Sequence, residues 1–240
     1  MSRPFAAFGA SHIAVLVLTA AVPLALAVAV RRSRSEVLAR AISLLFAAIL
    51  ITTWAIWYWL IVSRGWVSPE TVLPMNLCDW ATITAVATLL KSNQRSYELA
   101  YFWALSGTLQ ALLTPELFYD FPDLRFIIFF AFHGGTIAAV LFLTLARGFR
   151  PYPSSLPRVM AWSLTYLALA LAVNRLFGTN FGYLSAKPAT PSLLDFLGPW
   201  PIYIAALAGL GIFYVLLLYA PFFVADRFER QRGPRKPYTF

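Results

Sequence analysis

Charge is scarce in this sequence. Asp, Glu, Lys and Arg make up 12% of its 240 residues, about half of what a soluble domain carries. Hydrophobic residues fill 60% of the chain, and they run in blocks without polar alternation. Several blocks reach the roughly 20 residues that cross a bilayer as a helix, which excludes a soluble domain. Cysteine is nearly missing too: the single Cys78 rules out an internal disulfide and leaves the redox compartment open. With only His12 and His133, and no His-x-x-His or Cys-x-x-Cys spacing, metal chemistry has no motif. A set of two histidines and Asp79 is the one conceivable site, and no metal or other cofactor is expected. A Gly-rich phosphate loop and a nucleophile elbow are both absent. The last apolar block holds no lysine for a retinal Schiff base. The net charge of +9 sits in loops, so topology explains it better than nucleic acid does.

Hydropathy and loop charge together predict an all-α polytopic bundle of seven transmembrane helices. The spans fall at about 12–30, 41–62, 72–90, 97–114, 124–146, 157–178 and 199–222. The third and fourth are the shortest and most polar. The cluster 31-RRSR-34 follows the first block rather than preceding it, so that block reads as a retained helix and not a signal peptide. With seven spans, 14 of the 19 basic residues fall on one side. That places the N-terminus outside and the C-terminus in the cytoplasm. Residues 1–225 form one membrane domain, and 226–240 form a basic tail that determines topology. The outer segment 179–201 is rich in Gly and Pro and reads as an ordered loop, or a lid.

The polar residues share a depth. Cys78 and Asp79 on span three, Gln110 and Thr114 on span four, His133 on span five, and Asn174 with Arg175 on span six all fall in the outer third. Ser11 and His12 open span one at the same surface. Polar groups are costly in a membrane and usually face a cavity or one another. Singly, each has a bland explanation: a buried cysteine packs as a small hydrophobe, and Asn, Gln or His can tie helices together. Asp79 needs a partner or water, with Arg125, Arg175 and His133 in range. Jointly they point to a pocket open to the outer side.

The chemistry expected there is acyl transfer or hydrolysis on a lipid ester. His133 would take the Cys78 proton, the thiolate would attack an acyl carbonyl, and Asp79 would orient the imidazole. An ionised Asp79 beside the sulfur would oppose thiolate formation. Asn76, Gln110, Thr114, Asn174 and Asn180 are candidate substrate hydrogen-bonding residues; Arg175 and Lys187 could hold a phosphate headgroup. The partners are then membrane lipids, with a phospholipid substrate. A small-solute binder or transporter would use the same cluster, but the polar groups stop halfway across. A third reading makes them structural ties alone.

The blocks 73-LPMNLC-78, 114-TP-115, His133-Gly134-Gly135, 177-FGTNFGYLSAKP-188 and 194-LDFLGPWPIYI-204 resemble the YwaF-like bacterial integral membrane proteins. These are related to a eukaryotic multispanning family that includes an acyltransferase acting on ether phospholipids. The resemblance covers most of the chain. It implies a multi-pass protein of a bacterial inner membrane, with Cys78 and His133 matching the proposed catalytic pair of the acyltransferase branch. The chain departs from the usual bacterial pattern in carrying Asn76 where histidine is common, which implies that any chemical role of that histidine is altered here.

Overall fold

A computed structural model describes residues 3–189 and 192–231. Helix is the only regular secondary structure among the described residues: α1 Ala10–Ser33, α2 Glu36–Ser63, α3 Pro69–Val72, α4 Leu77–Lys91, α5 Gln94–Trp103, α6 Leu109–Leu113, α7 Leu124–Leu145, α8 Ser155–Phe177 and α9 Ile202–Gln231. A π-helical turn, Ala104–Thr108, joins α5 to α6, and 3₁₀ turns lie at Phe181–Tyr183 and Leu193–Leu197. The only extended pairing among the described residues is an isolated bridge between Pro4 and Tyr119.

Local chemistry sets the helix ends. The Ser35 side chain accepts the Leu38 N–H at the start of α2, Asn93 caps α5, and Asp123 caps α7. Gly178 ends α8 in the left-handed region, where a side chain would be strained. Six segments are long and apolar enough to cross a membrane: α1, α2, Pro69–Lys91, α7, α8 and most of α9. Large apolar side chains remain exposed along α1, α2, α8 and α9, for example Val17, Leu45, Leu164 and Phe213. These faces suit lipid rather than water.

The expected span 97–114 is helical but is not among the six, and it runs as three pieces. The reason is its position. Tyr97 to Ala104 is buried at every residue, packed against α4, α7 and α8. A helix shielded from lipid by its neighbours can carry polar side chains if the bundle satisfies them. Tyr97 hydrogen-bonds Thr144 at 2.8 Å, Trp103 Nε1–H donates to Ser163 at 2.9 Å, and Glu98 pairs with Arg158. α7 is the other central helix, packing on α1, α2 and α4. Gly134 allows the closest approach there: a Cβ at this position would lie 2.8 Å from the Thr19 hydroxyl.

The bundle has two distinct ends. One gathers residues 3–9, 64–76, 114–123, 178–189 and 192–201. There the Phe5 N–H reaches the Phe118 carbonyl at 3.1 Å, and Ser11 donates to Asp120. The other end gathers the basic turns, tied by ion pairs of Arg147 with Glu36 and of Arg150 with Asp226. α9 continues as helix through Gln231, so the first residues of the expected basic tail extend the last helix. The rest of the tail, 232–240, lies outside the described residues, as do 190 and 191 in the loop between α8 and α9.

Candidate functional site

The third span is broken just before Cys78 and Asp79. Ser68 and Thr71 cap the single turn of α3, and the chain then runs non-helically through Leu73, Pro74 and Met75. Proline disfavours helix in the residue before it and lacks an N–H. The chain re-enters helix at Asn76, which is extended (φ −78°, ψ 150°). Asp79 then accepts the Asn76 backbone N–H through Oδ2 at 2.8 Å. The expectation of a continuous helix with Cys78 well inside it is thus corrected. Cys78 is the second residue of α4, within its first turn, where the helix dipole ends on its positive side. Broken helices at membrane depth are tolerated where they line a cavity.

Such a cavity is present, with a volume of about 840 Å³. Asn76, Cys78 and Asp79 of α4 line one wall, and Phe129, Phe132 and His133 of α7 another. Ser106, Gly107, Gln110 and Ala111 come from the π turn and α6; Trp54, Trp57 and Tyr58 come from α2. α8 and α9 complete it. A π turn re-aims the residues after it, and here it presents Gly107 to α4. A Cβ on Gly107 would lie 2.8 Å from the tip of Leu77. The cavity reaches the loop-rich end at Glu70, Glu116, Tyr119, Arg125 and Tyr183.

His133 is held in one tautomer. Its Nδ1 lies 2.9 Å from the Phe129 carbonyl oxygen. A carbonyl only accepts, so Nδ1 carries the proton and the neutral ring leaves Nε2 as a bare acceptor. The ring also stacks on Phe129 with centroids 4.1 Å apart. Nε2 has no protein partner among the described residues. The orienting role expected for Asp79 therefore belongs to a backbone carbonyl. Asp79 forms no ion pair among the described residues: Arg125 is bound to Asp123 at 2.9 Å and lies over the Tyr119 ring. That pairing holds the Asp123 carboxyl below its ordinary pKa.

Of the residues expected from sequence, Asn76, Cys78, Asp79, Gln110, Thr114 and His133 line this one cavity. Gln110 Nε2 donates to the Tyr214 hydroxyl at 2.8 Å, which ties α6 to α9. Thr114 donates to the Gln110 carbonyl at 3.0 Å. Asn174, Arg175, Asn180 and Lys187 are not brought to the cavity wall. Buried Asn174 binds Thr179 and both polar groups of the Phe181 backbone. Asn180 closes its own loop onto Ser185 and Ala186. Arg175 is exposed in the last turn of α8, where a cation meets the negative end of the helix dipole. Lys187 lies over the Tyr203 ring, 5.6 Å from its centroid.

His12 is placed apart from the cavity. Its Nε2–H donates to the Leu112 carbonyl and its Nδ1 accepts the Phe8 N–H, both at 2.9 Å, inside a cage of Phe5, Phe8 and Phe130. The conceivable set of His12, His133 and Asp79 is not assembled. No group of three or more metal-ligating side chains occurs among the described residues.

Two residues beside Cys78 were not singled out from sequence. Thr108 neighbours the thiol without a well-formed hydrogen bond, and its buried hydroxyl has no other partner. Tyr166 lines the cavity with an equally unpartnered buried hydroxyl, close against Gly182, and Trp80 packs edge-on to its ring. Unpaired buried hydroxyls are uncommon and mark where a ligand atom or water completes the set. Nothing in the apolar run 161–177 distinguishes Tyr166 from an ordinary packing aromatic. At the mouth, the Tyr183 hydroxyl donates to Glu116 at 2.9 Å; burial, then that carboxylate, raises its pKa above the ordinary tyrosine value.

No curated protein and no solved structure matches the chain. A family model does, described as the TMEM164 family, and it covers residues 7–219. That span takes in the broken third helix, the π turn and all the cavity-lining residues named above, and ends within α9. By this match, the chain belongs to the TMEM164 family of membrane proteins.

Proposed function

We propose that the cavity transfers or hydrolyses the acyl group of a membrane lipid ester through Cys78, in line with the resemblance to the acyltransferase branch. The observation that carries this reading is that Cys78 and an unpartnered His133 Nε2 line one cavity. His133 takes the thiol proton, and the sulfur attacks the ester carbonyl. The C–O bond breaks and the leaving alcohol takes the proton back, leaving a thioester on Cys78. A second alcohol, or water, then gives its proton to His133 and attacks the thioester, freeing the thiol. The N-terminal turn of α4 directs its positive dipole end toward charge developing on the sulfur. The Tyr166 hydroxyl and Gln110 stand ready to hydrogen-bond a substrate carbonyl or ester oxygen. Asp79 secures the start of α4 and thereby the position of Cys78.

The topology is part of the proposal. α5, the π turn and α6 together supply a seventh crossing in the shielded centre. The loop-rich end faces the extracytoplasmic side of a bacterial inner membrane, and the basic end faces the cytoplasm. The site then opens to the outer leaflet.

The test is a thioester. Purified protein in vesicles containing an ester phospholipid should acquire an acyl adduct on Cys78 that neutral hydroxylamine releases. No adduct and no acyl exchange across a range of phospholipids would leave the cavity a binding site without thiol chemistry.

A further inference from the structure

The cavity is not closed on all sides. α8 and α9 form two of its walls, yet their backbones make little close approach to each other and are held to the bundle through α5, the π turn and the loop between them. Several residues on these two helices line the cavity and are also well exposed. Leu164 of α8 is 62% exposed and Ile212 of α9 is 45% exposed; Ala208 and Gly211 share this double exposure. Measured from the loop-rich ends of their helices, Ile212 lies roughly 15 Å deep and Leu164 roughly 20 Å, at 1.5 Å per residue. Both depths fall inside a hydrocarbon core about 30 Å thick.

We infer that the α8–α9 gap is a lateral portal through which an acyl chain of a bilayer lipid enters the cavity from the membrane. The chemistry of the two regions fits one amphiphile. The gap is edged by Leu164, Ala208, Gly211 and Ile212, which offer no hydrogen bond to a polar solute. The polar groups, Glu70, Glu116, Arg125 and Tyr183, lie at the loop-rich end where a headgroup sits. An apolar opening at that depth faces acyl chains and nothing else, so a chain is its natural occupant. The inference deepens the acyl-transfer reading by giving the substrate's route, and rests on it for nothing but the identity of the ester.

Gly211 supplies the test, because a Cβ built there meets no atom within 4 Å. Gly211→Trp therefore has room at its Cβ to place an indole at the gap, and Ala208→Trp is a second plug one turn away. The experiment uses the full chain with Cys78→Ala, so that no covalent chemistry at the thiol enters the result. The protein is reconstituted in vesicles containing phosphatidylcholine with a diazirine in one acyl chain, irradiated, and the adducts are mapped by mass spectrometry. Adducts are expected on cavity-facing residues such as Phe132 and Trp103 as well as at the gap. Either plug should lower the interior adducts at least fivefold while leaving labelling of the lipid-facing Val17 on α1 unchanged. Interior labelling that is absent, or that both plugs leave unchanged, overturns the portal. These outcomes are independent of the thioester assay. Interior lipid labelling without any Cys78 adduct in the unmutated protein would retain the portal and defeat the acyl-transfer reading.

Discussion

His133 gives its Nδ1–H to the carbonyl of Phe129, one helical turn earlier, and lays its ring on the Phe129 ring. Both contacts are local to α7, so the helix itself fixes the tautomer and aims Nε2 at the cavity. A protein in which a carboxylate did this work would lose orientation on mutating that acid; here the orienting group is backbone and cannot be mutated away.

The first prediction separates those cases. His133→Gln should reduce acyl exchange by about 10²–10⁴-fold, the usual worth of a positioned acid–base group. Asp79→Asn should act through the start of α4 instead, since an amide oxygen can still accept the Asn76 N–H. Its loss should be smaller and should appear together with a lower melting temperature. An Asp79→Asn variant as inactive as His133→Gln yet fully stable would give Asp79 a direct chemical role.

Cys78→Ala should abolish the thioester and the exchange while costing only about 1–2 kcal/mol of stability, because the lost atoms border an existing cavity. Cys78→Ser should keep the shape and lose most activity, its hydroxyl being far less acidic. Acyl-adduct capture before and after hydroxylamine, with melting temperatures in detergent, reads both. Full turnover by Cys78→Ala would return the thiol to a packing role.

Much of this architecture was legible because the solvent is a bilayer. Long apolar blocks coincide with six helices long and apolar enough to cross a membrane, and Cys78, His133, Gln110 and Thr114, grouped by depth, line one cavity. The expected span 97–114 is not among the six candidates for a physical reason: hydropathy measures compatibility with lipid, and α5 meets mostly other helices. Depth also cannot resolve azimuth. His12 and Asn174 lie at the right level but turn into their own hydrogen-bond sets, away from the cavity. The break before Cys78 was foreshadowed by Pro74, whereas Tyr166 carried no signal, since an aromatic with a polar tip is at home in any span.

The close contact between α1 and α7 at Gly134 yields the third prediction. Gly134→Ala places a methyl 2.8 Å from the Thr19 hydroxyl, and Thr19 is a stiff β-branched residue in α1. The variant should be destabilised by about 1–3 kcal/mol. Thr19→Gly in the same chain should restore part of that, giving a non-additive double-mutant cycle. Additive losses would mean that α1 and α7 part without resistance at this point.

Orientation is tested with the chain's own economy of cysteine. In a Cys78→Ala background, a cysteine at exposed Phe196, in the loop between α8 and α9, should react with an impermeant maleimide on intact cells. One at exposed Lys91, at the basic end, should react only after permeabilisation. The reverse pattern would invert the topology and turn the site toward the cytoplasm.

The last prediction concerns the polar charge held inside the central helix. Glu98 is 2% exposed at its side chain and pairs with Arg158, which is 31% exposed, across the α5–α8 contact; Gln94 Nε2 also donates to Glu98 at 3.1 Å. Removing Arg158 alone, as Arg158→Met, leaves a buried carboxylate with one neutral donor. For a fully enclosed pair the cost would be roughly 3–5 kcal/mol. Water can reach the Arg158 side, so about 2–3 kcal/mol is expected here, read as a lower melting temperature in detergent. Glu98→Gln with Arg158→Met removes both charges and should recover much of the loss, because the neutral amide no longer demands a cation. If the double variant is as unstable as the sum of the two singles, the pair contributes by packing alone. α5 would then owe its place at the centre to its apolar neighbours rather than to the satisfaction of Glu98.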